Sequence, residues 1–220
     1  MKKLYILLTL CAAFFLNSCV ESEKSFFEDA EEFGFTGSQD DIIDFLSQDA
    51  YNSLLDLGIP INTGDTPPNV EGAFRMTPYI LENSNVENEN FEIGDLFADN
   101  KFYFSNQNFE TLSIDFYKET INDNGVLIST ETGLFGQSFI SGSGNKFTIF
   151  VKTEGFSEGS SGQVHFINGV AVSGTLAADG VQDMKHAFVI LEKTGDVNGE
   201  FINEDEGRLF EDADGFSFRE

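Results

Sequence analysis

The chain has 220 residues and is strongly acidic, because 38 Asp and Glu against 12 Lys and Arg leave a formal net charge of −26. Such a charge repels phosphate backbones and anionic lipid head groups, so nucleic acid is disfavoured as a partner. The 25 phenylalanines in a chain of this length can supply an apolar core. Composition therefore favours a globular domain that does not bind nucleic acid.

The first residues predict an export signal. Lys2 and Lys3 precede an uncharged apolar run over residues 4–16. This run is too short to span a bilayer, because a helix rises about 1.5 Å per residue and the hydrocarbon core is about 30 Å thick. We interpret residues 1–18 as a signal peptide. Its removal takes away Cys11 and leaves Cys19 as the one cysteine, which excludes disulfides, zinc clusters and cysteine catalysis from the remaining chain.

The end of this segment resembles a bacterial lipoprotein signal. Leu16 stands at the third position before a cysteine and Ser18 directly before it. The resemblance implies a diacylglycerol on the Cys19 sulfur, cleavage between Ser18 and Cys19, and acylation of the new amino terminus, for example with palmitate. Three acyl chains would anchor the protein stably to a membrane. An ordinary signal peptide with a chance cysteine is the alternative.

Residues 19–37 are acidic and punctuated by glycine, and we interpret them as a tether. Val20 differs from the Asp that retains lipoproteins at the inner membrane, so the resemblance implies an outer-membrane lipoprotein of the cell envelope, periplasmic or surface-exposed. Glu21 and Glu23 are similar to the acidic patch of surface-exported lipoproteins of Bacteroidota. The alternative interpretation of these two residues is a solvated linker.

One amphipathic helix is predicted over residues 39–57. Ser38 is suited to be its N-cap, and Asp41 follows three residues later. Apolar residues then recur at helical spacing until Gly58 and Pro60 end the pattern. A helix with one apolar face must pack on another element.

The chain after about residue 70 predicts strands, because apolar and polar residues alternate with a period of two. The residues expected on the apolar face are Phe74, Met76, Ile80, Phe102, Phe104, Leu112, Ile114, Phe116, Phe147, Ile149, Val151, Val164 and Phe166. Tyr79 is expected on the polar face. Turns are predicted at Asn124-Gly125, Gly144-Asn145 and Asn168-Gly169. Residues 188–191 are apolar on both faces, which indicates a central strand or one covered by the helix.

Eight to ten strands without a second helix predict a mainly β fold with a single domain over residues 38–220. Even spacing favours an antiparallel up-and-down β-barrel, and a two-sheet β-sandwich is the alternative. The order of helix, Pro67-Pro68, then Gly72-Ala73-Phe74 and a meander resembles the lipocalin-like lipoproteins of Bacteroidota. That resemblance implies a lipocalin-like barrel.

Catalytic motifs are absent from the sequence. His165 and His186 are its two histidines, and His186 shares a strand face with Met184 and Phe188, which favours a core or boundary position. We therefore expect no enzymatic activity, no transition-metal site and no cofactor. Calcium is a possible ligand of residues 196–200 and 212–215, where oxygen-bearing side chains alternate around a glycine, but these patterns also suit acidic turns.

Two functions remain open. In the first, a barrel tethered to the membrane holds a small apolar or amphipathic ligand. The pocket would be lined by Phe74, Met76, Phe102, Phe104, Phe116, Phe147 and Phe166. In the second, the same phenylalanines fill the interior, and the chain is a non-enzymatic structural or interaction lipoprotein whose envelope partner is unknown.

Overall fold

The computed structural model describes residues 34–134, 137–160 and 162–220. The predicted signal peptide, the lipidation of Cys19 and most of the tether lie outside these residues. Within the described ranges the fold is mainly β, which confirms the predicted class, and consists of two short helices and 13 strands. None of the helices in this part of the chain is long and apolar enough to cross a membrane.

The helices are α1 (Gln39–Leu46) and α2 (Gln48–Leu57). The first strands are β1 (Asp65–Thr66), β2 (Gly72–Met76), β3 (Tyr79–Ser84), β4 (Leu96–Phe97), β5 (Asp99–Asn108), β6 (Ser113–Ile121) and β7 (Leu127–Thr132). The others are β8 (Ser138–Ser143), β9 (Lys146–Gly159), β10 (Gly162–Leu176), β11 (Gly180–Thr194), β12 (Gly207–Asp212) and β13 (Phe216–Arg219).

The strands form one sheet whose pairing is antiparallel apart from the short β1–β8 contact. Pairing runs through β10, β9, β8, β6, β5, β2, β13 and β11, and β11 pairs with β10 again, so that the path is a ring. The joint between β6 and β8 has a single residue pair, Ser113 with Phe139. The β13–β2 joint has two. β12 pairs with β11 and with β3, and β3 pairs with β4, so these three strands extend the sheet beyond the ring.

The predicted helix is interrupted at its middle. Ser38 caps α1 and Gly58 ends α2 in a left-handed conformation, as expected from the sequence. The prediction of one helix over residues 39–57 is wrong at Ser47, whose backbone leaves the helical region with φ 128° and ψ 161°. The Ser47 N–H donates to the Ile43 carbonyl at 2.9 Å, and its Oγ accepts from the Ala50 N–H at 3.1 Å. One serine therefore ends the first helix and caps the second.

A second interruption reverses the predicted faces of β3. Tyr79 and Leu81 are buried and Ile80 is half-buried, whereas the alternation predicted Ile80 inside and Tyr79 outside. Pro78 has no N–H to donate, so β2 ends at Met76 and β3 starts a new alternation at Tyr79. Such breaks also explain why the chain has more strands than predicted.

Leu112 is a further correction. Ile114 and Phe116 lie on the inner face of the ring as predicted, but Leu112 packs beneath the helices. Its backbone is left-handed, with φ 54°, just before β6 begins. This conformation turns the side chain to the opposite face of the sheet.

The predicted turn at Asn168-Gly169 is also wrong, because both residues lie inside β10. Asn168 pairs with Thr153 on β9 and with Ile190 on β11, next to a register shift. Leu191 of β11 and Leu46 of α1 pack against Gly169, and a Cβ there would stand 3.0 and 3.2 Å from their side chains. The turns at Asn124-Gly125 and Gly144-Asn145 are confirmed.

Two apolar clusters hold the fold together. One lies on the inner face of the ring and includes Phe74, Phe104, Phe147, Val172 and Met184. The other lies between the helices and the outer face of the sheet and includes Ile42, Leu54, Phe139, Phe150 and Val189. β11 contributes to both, which fits the prediction that residues 188–191 are apolar on two faces.

The described chain begins beside β8. The Gly64 N–H donates to the Gly37 carbonyl at 2.9 Å, and the Gly142 N–H donates to the Gly64 carbonyl at 3.0 Å. The three glycines approach so closely that a Cβ on Gly37 would lie 2.1 Å from the Gly64 carbonyl oxygen. This contact is near the β8–β9 turn, at the opposite end of the sheet from the loop that follows β11.

Candidate ligand-binding cavity

The structure divides the seven residues predicted to line a pocket. Six of them pack in the inner cluster and are at most 5% exposed: Phe74, Met76, Phe102, Phe104, Phe116 and Phe147. Four of them, Phe74, Phe102, Phe104 and Phe116, pack ring against ring, with centroids 5.9–6.4 Å apart. Phe166 lies apart from this group and lines a cavity of about 240 Å³.

The cavity lies at one end of the ring. It is enclosed by residues of β6, β7, β10, β11, β12 and the loop over residues 195–206. Its apolar wall consists of Phe166, Phe188, Ile190, Phe201 and Ile202. Its polar lining consists of Lys118, Glu131, Asn168, His186 and Arg208. A small site of this kind, with apolar walls and a few polar groups, is typical of ligand pockets.

Aromatic packing shapes the apolar wall. Phe166 stacks on Phe201 with centroids 4.7 Å apart, which ties β10 to the loop after β11. The same ring lies over Gly155 of β9, where an added Cβ would come within 2.4 Å of it. The glycine therefore lets Phe166 lie flat against the sheet.

A buried ion pair crosses the polar side. Lys118 Nζ lies 2.5 Å from Glu131 Oε2, and the two side chains are 13% and 19% exposed. Burial opposes ionisation of Glu131, but the charge of Lys118 and hydrogen bonds from Lys118, Thr153 and Asn168 outweigh it and lower the pKa of Glu131. Burying such a pair costs solvation free energy, which a core made only for stability avoids.

His186 is the most buried polar residue of the lining, at 2% exposure. Its Nδ1 lies 2.6 Å from the Tyr79 hydroxyl. Burial, helped by the charge of Lys118, lowers the pKa of His186 well below 6.5, so the ring is neutral. Burial also raises the pKa of Tyr79 well above 10, so its phenol keeps the proton. Within the described residues, His186 Nε2 and Asn168 Oδ1 are buried and have no hydrogen-bond partner.

Arg208 closes the cavity on the β12 side. Its Nε and Nη2 donate to the Glu89 carboxylate at 2.7 and 3.0 Å, and these bonds lower the pKa of Glu89 to about 2. The guanidinium also lies over the ring of Phe91, 5.1 Å from its centroid. Arg208 thus joins β12 to the segment between β3 and β4.

The two acidic segments that suggested calcium form turns. Asp196 accepts from Lys193 Nζ at 2.7 Å and from the Glu200 N–H at 2.9 Å. Asp212 accepts from Ser217 Oγ at 2.7 Å. In the part of the chain that the structure describes, no group of three His, Cys, Asp or Glu side chains is arranged to hold a metal ion.

The sequence does not predict the polar lining of the cavity, although the alternation contains a signal for it. Lys118 continues the inner face of Ile114 and Phe116, and Asn168 continues that of Val164 and Phe166. The sequence predicts a core or boundary position for His186, which is buried, and places its partner Tyr79 on the polar face, which is wrong. In the sequence, a polar residue that continues an apolar face suggests that the strand has ended. The polar residues of the lining come together only because strands that are distant in the chain pair with one another.

Comparisons of the chain with protein-family models, with curated proteins and with solved structures gave no match. Its class is therefore defined by structure: a mainly β, antiparallel protein with a polar-ended cavity at one end of its sheet.

Proposed function

We propose that this chain is a binding protein of the bacterial envelope, tethered by lipid on Cys19, whose sheet closes as a lipocalin-like barrel around a small amphipathic molecule. The observation that carries the proposal is the cavity itself. It combines an aromatic wall with the buried Lys118–Glu131 pair and with an unsatisfied nitrogen of His186. A molecule with an apolar body and a polar end would satisfy both parts.

The closed ring of pairings supports a barrel over a two-sheet sandwich. Eight strands pair one after another around the ring, although not in chain order. The pairing of β10 with β11 closes the path. A sandwich would interrupt this path between its two sheets. Eight strands also suit a barrel that holds one small ligand.

The envelope location is supported by the sequence, through Leu16, Ser18 and Cys19. When cells are grown with labelled palmitate, we expect the label to appear in the wild-type protein and not in the Cys19→Ser variant. Ser25→Ala serves as a control for expression and should be labelled like wild type, because it changes a residue of the tether and leaves Leu16, Ser18 and Cys19 in place. Equal labelling of wild type and Cys19→Ser would contradict the anchor.

Ligand binding can be tested by filling the cavity. The chain has no tryptophan, so Phe188→Trp places a larger ring in the wall and Phe156→Trp adds the same ring where the side chain is 60% exposed. We expect the neutral two-ring dye 6-propionyl-2-(dimethylamino)naphthalene to fluoresce with wild type and with Phe156→Trp. Phe188→Trp should lower its affinity at least fivefold, because the added volume occupies the site. Equal binding by all three proteins would refute the cavity as the site.

A second candidate is an interaction protein with no ligand. It is favoured by the close packing of six of the predicted pocket residues and by an apolar hairpin tip, where Val126, Leu127 and Ile128 are 56%, 51% and 58% exposed. Absence of dye binding by wild type would favour this candidate.

A further inference from the structure

We infer that the ligand of this cavity is an uncharged molecule whose polar end is a carbonyl or hydroxyl oxygen that accepts hydrogen bonds from Lys118 and His186. The inference rests on the proposed function and specifies its ligand. It follows from the charges of the lining, from its unused donors and from its volume.

The charges of the cavity are already balanced. Lys118 pairs with Glu131 at 2.5 Å, and Arg208 pairs with Glu89 at 2.7 Å. A carboxylate ligand at Lys118 would share one ammonium group with the Glu131 carboxylate, and like charges so close repel in a buried site. A cationic ligand would instead meet two cations. A neutral ligand avoids both costs.

The polar side of the cavity has hydrogen-bond donors that are not used within the protein. An ammonium group has three N–H donors, and Lys118 directs one of them to Glu131. The phenol of Tyr79 keeps its proton and lies 2.6 Å from Nδ1, and when it donates that proton to Nδ1 the neutral ring of His186 carries its hydrogen on Nε2. That Nε2 is buried and without a partner in the described chain. An oxygen that accepts hydrogen bonds is the group that this pair of donors lacks.

The remaining polar atom fits the same ligand class. Asn168 Oδ1 is also buried and unpartnered within the described residues, and it can accept from a hydroxyl or a bound water without any added charge. The volume limits the apolar body. An apolar cavity of about 150 Å³ takes benzene, so about 240 Å³ accommodates a somewhat larger body, of one or two rings.

Four naphthalenes with the same ring system test the inference by calorimetric titration of the purified full-length protein at pH 7.5. They are 2-acetylnaphthalene, 2-ethylnaphthalene, 2-naphthoate and 2-naphthylmethylammonium. We expect acetylnaphthalene to bind at least fivefold more tightly than ethylnaphthalene and at least tenfold more tightly than either ion. If naphthoate or the ammonium compound binds most tightly, the inference is overturned.

Two variants identify the donors. Lys118→Met/Glu131→Gln removes the ion pair without leaving an unpaired charge, and His186→Phe removes the imidazole. We expect each to reduce the preference for acetylnaphthalene over ethylnaphthalene to less than twofold while ethylnaphthalene still binds, which also shows that the variant is folded. Lys101→Met, which removes an ammonium group paired with Glu220 away from the cavity, should keep the preference.

The outcomes separate the two proposals. Binding of ethylnaphthalene and acetylnaphthalene with equal affinity, or a preference that survives in both cavity variants, overturns the inference and leaves the cavity as a binding site. Binding of none of the four compounds by wild type overturns the inference and the proposed function together.

Discussion

At the scale of single residues, Asp212 is an ionisable group buried by the fold. It is 3% exposed, its Oδ2 accepts from Ser217 Oγ at 2.7 Å, and burial together with the nearby charge of Asp214 raises its pKa to about 6. The folded state therefore binds this proton more tightly than the unfolded chain does. Stability contributed by the protonated carboxyl is fully present below about pH 4 and is lost as the pH rises through about 6.

Asp212→Asn should remove this pH dependence. Asn keeps an oxygen for Ser217 and carries no charge, so we expect the variant to be more stable than wild type by about 1–2 kcal/mol above pH 6 and equally stable at pH 4. Urea denaturation at a series of pH values measures the difference. Asp65→Asn removes the same charge from an exposed position and controls for net charge. A difference that grows as the pH falls would contradict this account.

Single residues also show which local features can be predicted from the sequence and which cannot. Ser38 and Gly58 bound the helical segment as predicted, since capping depends on a few neighbouring residues. Ser47 resembles any polar position of a helix, and its role as a break appears only once its Oγ is seen to accept from the Ala50 N–H. The burial of Tyr79 depends on a strand that restarts after Pro78, which shifts the faces of β3 by one residue.

At the scale of elements, the close approach of β11 and β12 brings Arg208 to the cavity. Gly207 begins β12 opposite Val189, and a Cβ there would lie 1.8 Å from the Phe188 carbonyl oxygen. A backbone atom cannot move aside as a side chain can. The short distance therefore requires glycine at the start of this strand.

Gly207→Ala should destabilise the fold by about 2–3 kcal/mol, because the two strands must separate to admit the methyl group. Gly133→Ala is the control, since its Cβ would meet Val151 at 3.4 Å, an ordinary contact. Thermal denaturation followed by circular dichroism measures both. A Gly207→Ala protein as stable as Gly133→Ala would refute the close approach.

Elements were easier to predict than their joints. The alternation over β5, β6 and β9 correctly placed Phe102, Phe116 and Phe147 on the inner face, because period-two patterns are local. The position of Asn168 inside β10 could not be predicted, since Asn-Gly is the usual signal of a hairpin. Here the glycine leaves room for Leu191 and for Leu46 of α1, and Leu46 is more than 100 residues away in the chain.

At the scale of the whole molecule, charge opposes folding. A net charge of −26 is distributed over a structure with few Lys and Arg side chains, and like charges that are close in the compact state repel one another. Salt screens this repulsion, because the Debye length falls from about 30 Å at 0.01 M to about 3 Å at 1 M.

We therefore expect the melting temperature to rise by several degrees between 20 mM and 500 mM sodium chloride, as calorimetry would measure. Potassium chloride at the same concentrations is the control for screening by ionic strength and should have the same effect. A melting temperature that falls with salt would mean that the surface ion pairs outweigh the repulsion.

The glycine contact beside β8 fixes where the amino-terminal side of the domain leaves the sheet. Gly37, Gly64 and Gly142 meet near the β8–β9 turn, whereas the cavity opens among β7, β12 and the loop after β11. A support that holds the protein by its amino terminus, whether a bilayer or a sensor chip, is thus attached at the far end. Immobilisation in this orientation leaves the end that holds the cavity exposed to solvent.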